Sequence, residues 1–596
     1  MVKCVAILKL NFNSVISKFS FFYNNLLTKS EKNYFKILIF LILIGTVLET
    51  LSIGIIIPVL KILVSSDLGE NFNRILKFLK LDNYTKSQLF LISLFFLIAI
   101  FSIKSIYLSF FKFKQYQYLN NVKINLSKIF FAHYLNKPYI YHLKMNSYIL
   151  TRNLLNVNEM SGVIQTITDL IAEVTVFSAI LILLLLYEPV GAITSIMIFG
   201  TCGYFFQRKV KLLAQKWGQQ KQIHDGLKLQ NMKQGFGAIK EIKLFKVEKD
   251  SINEFFRNCK ISGDSEFKFN FLSSLPRIWL EWIVILVIMA LVALLNLNDT
   301  QPLGYIPILG LFGAAAIRLM PSMARILTYI QAIRFYLPIV ETLSKEIVES
   351  KKILNSNYEN SDEENSIKKF ENFSKVIEIK NLNFIYPETK EKLLNNVNLK
   401  IKYGSIIGIV GESGVGKTTL INLLLGLIKP SSGYINVDEF DIFKNLEKWQ
   451  SQIGYVPQNV YLNDESIRKN IAFGVPDNSI DNNQVVKAIK DSQLSNFINS
   501  LKKKDLTTVG ECGDRLSGGQ KQRIGIARAL YRNPKVLIMD ESTNSLDYAT
   551  EQAILKEVNM LKGNKTIMIV AHRLTALNIC ENIYKLSFEG ITETKI

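Results

Sequence analysis

The stretch that decides the fold of the C-terminal part is SIIGIVGESGVGKTTLINLLLGLI, residues 405–428. A short β-branched run leads into a glycine-rich segment, and an apolar run begins directly after Gly416-Lys417-Thr418. The pattern G-x-x-x-x-G-K-[ST], between a predicted strand and a predicted helix, is typical of the phosphate-binding loop of nucleotide-binding α/β domains. Its glycines let backbone N–H groups surround phosphate oxygens, and the start of the helix adds its positive dipole end.

We therefore predict a nucleotide site in this loop. Lys417 is predicted to contact the β- and γ-phosphates, and the hydroxyl of Thr418 to ligate Mg²⁺. The predicted nucleotide-binding residues are Gly411, Glu412, Ser413, Gly414, Val415, Gly416, Lys417, Thr418 and Thr419.

A second motif lies downstream, where the apolar run KVLIM ends in Asp540 and Glu541. We predict that Asp540 holds Mg²⁺ and that Glu541 polarises the water that attacks the γ-phosphate. Acids at the end of a strand can also cap the next helix. A phosphate loop in the same domain favours the catalytic interpretation.

The region before this domain is different in character. Six apolar segments are long enough, or nearly so, to cross about 30 Å of hydrocarbon, and they cover residues 34–63, 89–111, 162–187, 190–206, 278–297 and 303–333. Long lysine-rich connections follow the second and fourth segments, which places them in the cytoplasm by the positive-inside rule. No Gly/Pro cluster separates them from the spans, so we expect the membrane helices to continue into the cytoplasm.

These observations predict an α-helical six-span transmembrane domain fused to an α/β P-loop domain. The predicted parts are a cytosolic segment 1–33, a transmembrane domain 34–345, a polar linker 346–370 and a nucleotide-binding domain 371–596. We expect two cytosolic turns, near residues 145–153 and 229–236, to press on the nucleotide-binding domain.

Composition supports a folded membrane protein. Hydrophobic residues make up 49% of the 596 residues and charged residues 20%, which excludes a disordered chain. The net charge of +21 suits an anionic membrane surface or an anionic substrate. Six spans exclude a soluble nucleic-acid-binding protein, and the five cysteines lack the spacing of a structural zinc site.

Leu516-Ser517-Gly518-Gly519-Gln520 lies between the two motifs, and with it the sequence resembles ATP-binding cassette (ABC) transporters, whose signature is LSGGQ. Six spans ahead of one cassette resemble a half-transporter of the exporter type. The resemblance implies ATP and Mg²⁺ as cofactors, ATP hydrolysis coupled to transport, and a homodimer. In that dimer Ser517, Gly518, Gly519 and Gln520 of one copy contact the nucleotide on the loop of the other.

The same resemblance assigns three further residues. Tyr386 stands where the family stacks an aromatic ring on adenine, and Gln458 matches the glutamine that contacts Mg²⁺ and the lytic water. His572 matches the histidine that contacts the γ-phosphate. Asn544 and Ser545 depart from the commoner Ser and Ala of the D-loop, and we expect that change to be neutral.

The candidate substrate residues are ionisable side chains at membrane depth, which are expensive there and usually functional. Arg318 and Arg325 are seven residues apart and share one helix face. Arg277 precedes Glu281 by one turn, and Glu49 interrupts the first span. The alternative is structural: Arg277 and Glu281 satisfy each other, and Arg325 lies in a solvated extension.

Three segments, at residues 49–63, 275–284 and 318–327, resemble those of bacterial lipid-linked oligosaccharide flippases of the PglK type. This implies a polyprenyl-diphosphate glycan moved from the cytoplasmic to the periplasmic leaflet of the bacterial inner membrane for protein glycosylation, with the arginines receiving the diphosphate. Residues 71–81 are predicted to form an external interfacial helix that contacts the lipid tail or only rests on headgroups.

Other substrates remain open at this point. An exporter of lipid A, phospholipid, drugs or peptides fits the same motifs, and so does an ATP-gated regulatory membrane protein. Intact Glu541 and His572 disfavour the last. Only about 33 residues precede the first span, so we expect no N-terminal peptidase domain of the kind found in bacteriocin exporters.

Overall fold

The computed structural model describes residues 23–24, 27–55, 59, 85–187, 189–296, 306–359, 373–387, 389, 391–543, 546–571 and 573–594. These residues belong to two compact units. The helical unit falls within Met1–Lys137 and Lys144–Asp362, and the cassette unit within Pro138–Leu143 and Glu363–Ile596.

Long helices build the helical unit. In the described part of the chain they are α1 (Lys29–Gly54), α2 (Lys86–Leu135), α4 (Ser147–Tyr187), α5 (Pro189–Gly237), α7 (Glu248–Asn296) and α8 (Ile306–Glu359). The short helices α3 (Tyr139–Lys144) and α6 (Ile239–Phe245) lie in the connections. Three segments are long and apolar enough to cross a membrane, namely Lys29–Gly54, Ser87–Leu135 and Ser147–Leu186, when only the described residues are searched.

The helices continue well beyond the membrane-spanning segments, as predicted. Helix α2 has 50 residues, which corresponds to about 75 Å at 1.5 Å per residue. The hydrocarbon core is only about 30 Å thick. Capping boxes start the first two helices: Thr28 caps α1 with Glu31, and Thr85 caps α2 with Gln88.

Three predicted features of the helical region need correction or lie outside the description. Helix α4 begins at Ser147, so only Met145 and Asn146 of the turn predicted at 145–153 are non-helical, and the rest of that stretch belongs to α4. The turn predicted at 229–236 is wrong, since α5 stays helical to Gly237 in a stretch that contains no proline. The predicted interfacial helix 71–81 lies outside the described residues.

The predicted linker 346–370 is helical over its first part, because α8 ends only at Glu359. Lys, Glu and Leu there are good helix formers, and proline and glycine are absent from 349–359. Residues 360–372 lie outside the description.

The cassette unit contains two sheets. An antiparallel sheet has the order β2-β1-β4-β5, and a second sheet has the order β10-β9-β3-β8-β7-β6. The strands are β1 (Val376–Phe384), β2 (Leu394–Lys402), β3 (Ile406–Val410), β4 (Ser432–Val437), β5 (Phe440–Asp441), β6 (Ile453–Val456), β7 (Val536–Asp540), β8 (Thr566–Val570), β9 (Asn582–Ser587) and β10 (Gly590–Thr594).

The helices of the cassette unit pack on its sheets, except that those between residues 467 and 500 pack on the helix that begins at Gly518. The helices are α9 (Lys417–Leu424), α10 (Leu446–Gln450), α11 (Ile467–Ile471), α12 (Asn482–Asp491), α13 (Ser495–Ser500), α14 (Gly518–Tyr531), α15 (Tyr548–Met560) and α16 (Leu574–Leu577). Strands β3 and β7 both pair with β8 in parallel. Their carboxyl ends therefore meet at one edge of the sheet, the usual place for a ligand site in an α/β fold.

Candidate functional site

The phosphate loop joins β3 to α9, and the side chain of Lys417, the first residue of α9, bonds to the loop backbone. Lys417 is buried, and its Nζ donates hydrogen bonds to the carbonyl oxygens of Gly411 at 2.7 Å and Glu412 at 2.9 Å. Gly414 and Gly416 have φ values of 85° and 103°, a region that favours glycine. The backbone thus curls around the ammonium group.

The loop also meets the requirements for binding phosphate. A Cβ on Gly411 would lie 2.7 Å from the carbonyl oxygen of Leu586, so no other residue fits. Gly416 supplies no side-chain cap to α9, and the first N–H groups of that helix have no partner within it. Such groups bind phosphate oxygens. Thr418 is exposed beside them.

Two acids and one glutamine stand next to this loop. Asp540 ends β7 and is buried, and burial together with the neighbouring Glu541 raises the pKa of its carboxyl group. Glu541 has a left-handed backbone, with φ 48°, and its N–H donates to the carbonyl oxygen of Val570 at 2.9 Å. Nε2 of Gln458 donates to Oε2 of Glu541 at 2.8 Å.

The carboxyl groups of Asp540 and Glu541 interact electrostatically with the amine of Lys417. Burial lowers the pKa of the Lys417 amine, while Glu541 and Asp540 act in the opposite direction. Carboxylate, hydroxyl and amide oxygens are the ligands that Mg²⁺ prefers. Asp540, Thr418 and Gln458 carry those donors, so the residues present fit the ion.

Tyr386 is anchored to the loop helix. Its hydroxyl lies 3.2 Å from Oγ1 of Thr419, and its ring stands edge-on to Phe384 with 4.9 Å between centroids. Thr419 itself is buried. The bond to Tyr386 was not predicted from the sequence, because it joins residues 33 positions apart.

The signature segment begins α14. Ser517 caps the helix by accepting the N–H of Gln520, while the Ser517 N–H donates to Oε1 of Gln520 at 2.9 Å. The side chain of Ser517 and the backbone of Gly518 are exposed. This end of α14 therefore presents a hydroxyl and N–H groups to its surroundings.

Nothing is described for three residues that the sequence analysis assigned to the nucleotide site or the D-loop. His572, Asn544 and Ser545 lie outside the described residues. Asp547, which follows the last two, caps α15 by accepting the N–H of Thr550 at 2.9 Å.

Several of the candidate substrate residues have ionic partners. Arg325 makes a two-pronged pair with Glu173, at 2.7 and 3.3 Å. Glu49 is buried and lies 3.3 Å from the Lys104 amine. Glu173 and Lys104 interrupt apolar spans just as Glu49 does, and that signal was available in the sequence.

The other two candidate substrate residues are Arg277 and Arg318. Arg277 and Glu281 are 3.6 Å apart and largely exposed, which is the pairing given as the structural alternative. The backbone of Arg318 is helical within α8, but its side chain lies outside the description. The role of these residues in substrate binding stays a prediction.

Comparison with known proteins bears on the fold and the site. Residues 394–544 match the family model described as ABC transporter. The leukotoxin translocation ATP-binding protein LktB of Mannheimia glucosida is 42% identical over 218 residues, which cover 36% of this chain and 30% of that protein. LktB of Bibersteinia trehalosi is 41% identical over the same length. The match thus spans about a third of these curated relatives.

The whole chain resembles a solved exporter in fold. The structure described as a bacterial Atm1-family ABC exporter with ATP bound superposes with a TM-score of 0.74 and 20% sequence identity, over 94% of each chain. This confirms the predicted fold class, a helical transmembrane domain with an α/β cassette. The chain carries an ABC transporter ATPase domain, which binds ATP with Mg²⁺, within the fold of an ABC exporter.

Proposed function

We propose that this protein is an ATP-driven exporter of the bacterial inner membrane that works as a homodimer, with its cassette unit in the cytoplasm. The observation that carries the proposal is the cluster of Lys417, Asp540, Glu541 and Gln458 around one phosphate loop. An exporter fold along nearly the whole chain supplies the context.

The chemistry follows from the positions of these side chains. In this structure the Lys417 amine is bonded to two loop carbonyls, and on ATP binding it turns to the β- and γ-phosphate oxygens. Mg²⁺ neutralises phosphate charge when bound, and Thr418, Asp540 and Gln458 would hold it. The carboxylate of Glu541 then accepts a hydrogen bond from the attacking water and orients it in line with the bond that breaks.

A second copy completes the site in this proposal. The exposed start of α14, at Ser517 and Gly518, provides a hydroxyl and N–H groups that suit the phosphates of a nucleotide bound to the other copy. The same arrangement in reverse gives two sites per dimer. His572 is proposed to contact the γ-phosphate.

We propose a lipid-linked oligosaccharide as the substrate, flipped towards the periplasmic leaflet for protein glycosylation. The proposal rests on the three membrane segments that resemble oligosaccharide flippases. Arg318, Arg325 and Arg277 are the proposed contacts for the diphosphate, a group that guanidinium binds well. Because Glu173 pairs with Arg325, the substrate must displace or share that contact.

A second candidate substrate is a secreted protein or peptide. It is favoured by the curated relatives, whose names describe leukotoxin translocation. The match to them covers 36% of this chain.

A transport assay in proteoliposomes distinguishes the two. The liposomes contain a fluorescent polyprenyl-diphosphate glycan, and loss of the label accessible from outside is followed after ATP addition, with Glu541→Gln as the matched inactive control. ATP-dependent flipping by the wild type alone supports the lipid substrate. Absence of flipping, together with ATP-dependent uptake of a peptide, contradicts it.

A further inference from the structure

The guanidinium group of Arg334, on α8, has no carboxylate partner among the residues that the structure describes. Its Nη1 donates to Oε1 of Gln207 on α5 at 2.5 Å, and this is its only polar contact within that part of the chain. The guanidinium of Arg325, on the same helix, is instead paired with Glu173. An amide oxygen carries only a partial charge, so the partly buried Arg334 keeps an uncompensated positive charge. Such a charge is costly unless an anion binds beside it.

A second hydrogen-bond donor close to Arg334 in the chain is unused. Gln331 is fully buried, and its Nε2 has no hydrogen-bond partner among the described residues. Its Oε1 accepts a hydrogen bond from Oγ of Ser273 on α7 at 3.3 Å. Whichever way the amide is turned, Ser273 can satisfy only one of its atoms, so at least one N–H stays free. Gln331 therefore offers a hydrogen bond to a group that these residues do not supply.

Contacts with α5 show that both donors lie on one face of α8. The amide of Gln207 contacts α8 twice, since its Nε2 donates to the carbonyl oxygen of Leu327 at 3.4 Å and its Oε1 accepts from Arg334. The side chain of Arg334 thus reaches back along α8, towards the turn that contains Gln331. Residues 327, 331 and 334 have the i, i+4, i+7 spacing of a single helix face. The guanidinium group and the free amide N–H therefore share the face of α8 that contacts α5 and α7.

The sequence predicts that this face lies at the cytoplasmic boundary of the membrane. The apolar segments predicted at 190–206 and 303–333 end directly before Gln207 and Arg334, and the first of them leads into a lysine-rich cytoplasmic connection. The phosphate groups of lipids lie at this depth, and basic sites between membrane helices on the cytoplasmic side bind them. A water molecule would satisfy the amide of Gln331 but would leave the charge of Arg334 uncompensated.

We propose that Arg334, Gln331 and Gln207 form a binding site for a phosphate group at the cytoplasmic side of the membrane. The guanidinium group binds phosphate oxygens through parallel N–H donors, the free N–H of Gln331 adds another, and Gln207 orients the guanidinium group. A lipid headgroup and free phosphate both carry this chemistry, and the experiment separates them. The inference goes beyond the proposed function, because it requires neither ATP hydrolysis nor transport of the bound molecule.

The test is ligand binding to the purified full-length protein in detergent after removal of bound lipid, followed as the rise in Tm with ligand concentration. The probes are dioctanoyl phosphatidate, dioctanoylglycerol, which has the same chains without phosphate, and inorganic phosphate. We expect phosphatidate to raise Tm and dioctanoylglycerol to have no effect. Arg334→Gln should weaken phosphatidate binding on the order of tenfold or more, because hydrogen bonds from a charged donor are lost, and Gln331→Leu should weaken it about two- to tenfold.

Two controls separate a ligand site from a structural role. Arg257→Gln removes the same charge from an exposed position on α7 and should bind phosphatidate as the wild type does. Without ligand, Arg334→Gln should be at least as stable as the wild type, because it removes an uncompensated charge.

Binding of inorganic phosphate that depends on Arg334 at the same concentrations would support the site and assign it to free phosphate. Three results would overturn the proposal: equal binding of phosphatidate by the wild type and Arg334→Gln, equal binding of dioctanoylglycerol and phosphatidate, or a ligand-free Arg334→Gln that is less stable than the wild type.

Discussion

Replacing Gly218 by alanine should destabilise the helical unit, because α5 and α8 touch backbone to backbone there. A Cβ built on Gly218 would overlap the carbonyl oxygen of Phe335 and lie 2.8 Å from its carbonyl carbon. Backbone atoms cannot rotate aside as a flexible side chain does. The two helices would have to separate by roughly 1 Å, measured against ordinary carbon contacts of about 3.5–4 Å.

The surroundings resist such a shift. Phe335 is buried, and its ring stacks on Phe269 of α7 with centroids 4.0 Å apart. Moving α8 therefore disturbs a second helix contact as well. Overpacking in a dense core costs about 1–3 kcal/mol, and we expect a value at the upper end. The helical unit has about 350 residues, and with an unfolding entropy of roughly 2.1 cal/mol/K per residue that loss corresponds to a fall in Tm of about 4 °C.

The assay is the apparent Tm of the detergent-solubilised protein at one fixed heating rate, since membrane proteins unfold irreversibly. Gly263→Ala in α7 is the matched control, because no atom lies within 4 Å of its added Cβ. Alanine is the better helix former, so that variant should be more stable by about 0.5–1 kcal/mol. A Tm for Gly218→Ala at or above the wild type would refute the packing of α5 on α8.

Two further predictions concern the nucleotide site. Asp540→Asn should raise the Tm of the nucleotide-free protein by about 2–4 °C at neutral pH. The pKa of Asp540 is raised in the folded protein, so the stability that this carboxyl contributes when protonated is lost as the pH rises. The gain in Tm of the variant should therefore shrink as the pH falls towards about 4. A gain that is constant with pH would contradict this. Tyr386→Phe removes the bond to Thr419 but keeps the ring, so KM for ATP should rise up to about fivefold with kcat unchanged. A lower kcat at normal KM would show that the hydroxyl acts in the chemistry instead.

Local sequence patterns were enough to predict the elements of the site. The loop 411–418 follows a β-branched strand and opens a helix, and Asp540 ends a fully apolar strand. Both patterns lie within a few consecutive residues, so the positions of the strand and the helix can be predicted from the local sequence alone. The continuation of α2 beyond its membrane span was predictable for the same reason, since no proline or glycine interrupts it.

Pairings between distant residues could not be predicted in this way. The Glu173 and Arg325 pair joins positions 152 apart, and the Glu49 and Lys104 pair joins α1 to α2. Each member was visible as a charge in an apolar run, but helix spacing alone does not say which charges face each other. The burial of Glu551 in α15 is likewise a tertiary property, because glutamate is almost never fully buried unless it is paired.

The most direct test of the central claim is ATP hydrolysis by the purified wild type and by Glu541→Gln, with nucleotide binding measured on the same samples. A base that orients the attacking water contributes about 10²–10⁴-fold. We therefore predict that Glu541→Gln binds ATP in the presence of Mg²⁺ as the wild type does and hydrolyses it at least about 100-fold more slowly. Hydrolysis by Glu541→Gln at a rate near that of the wild type would contradict the account.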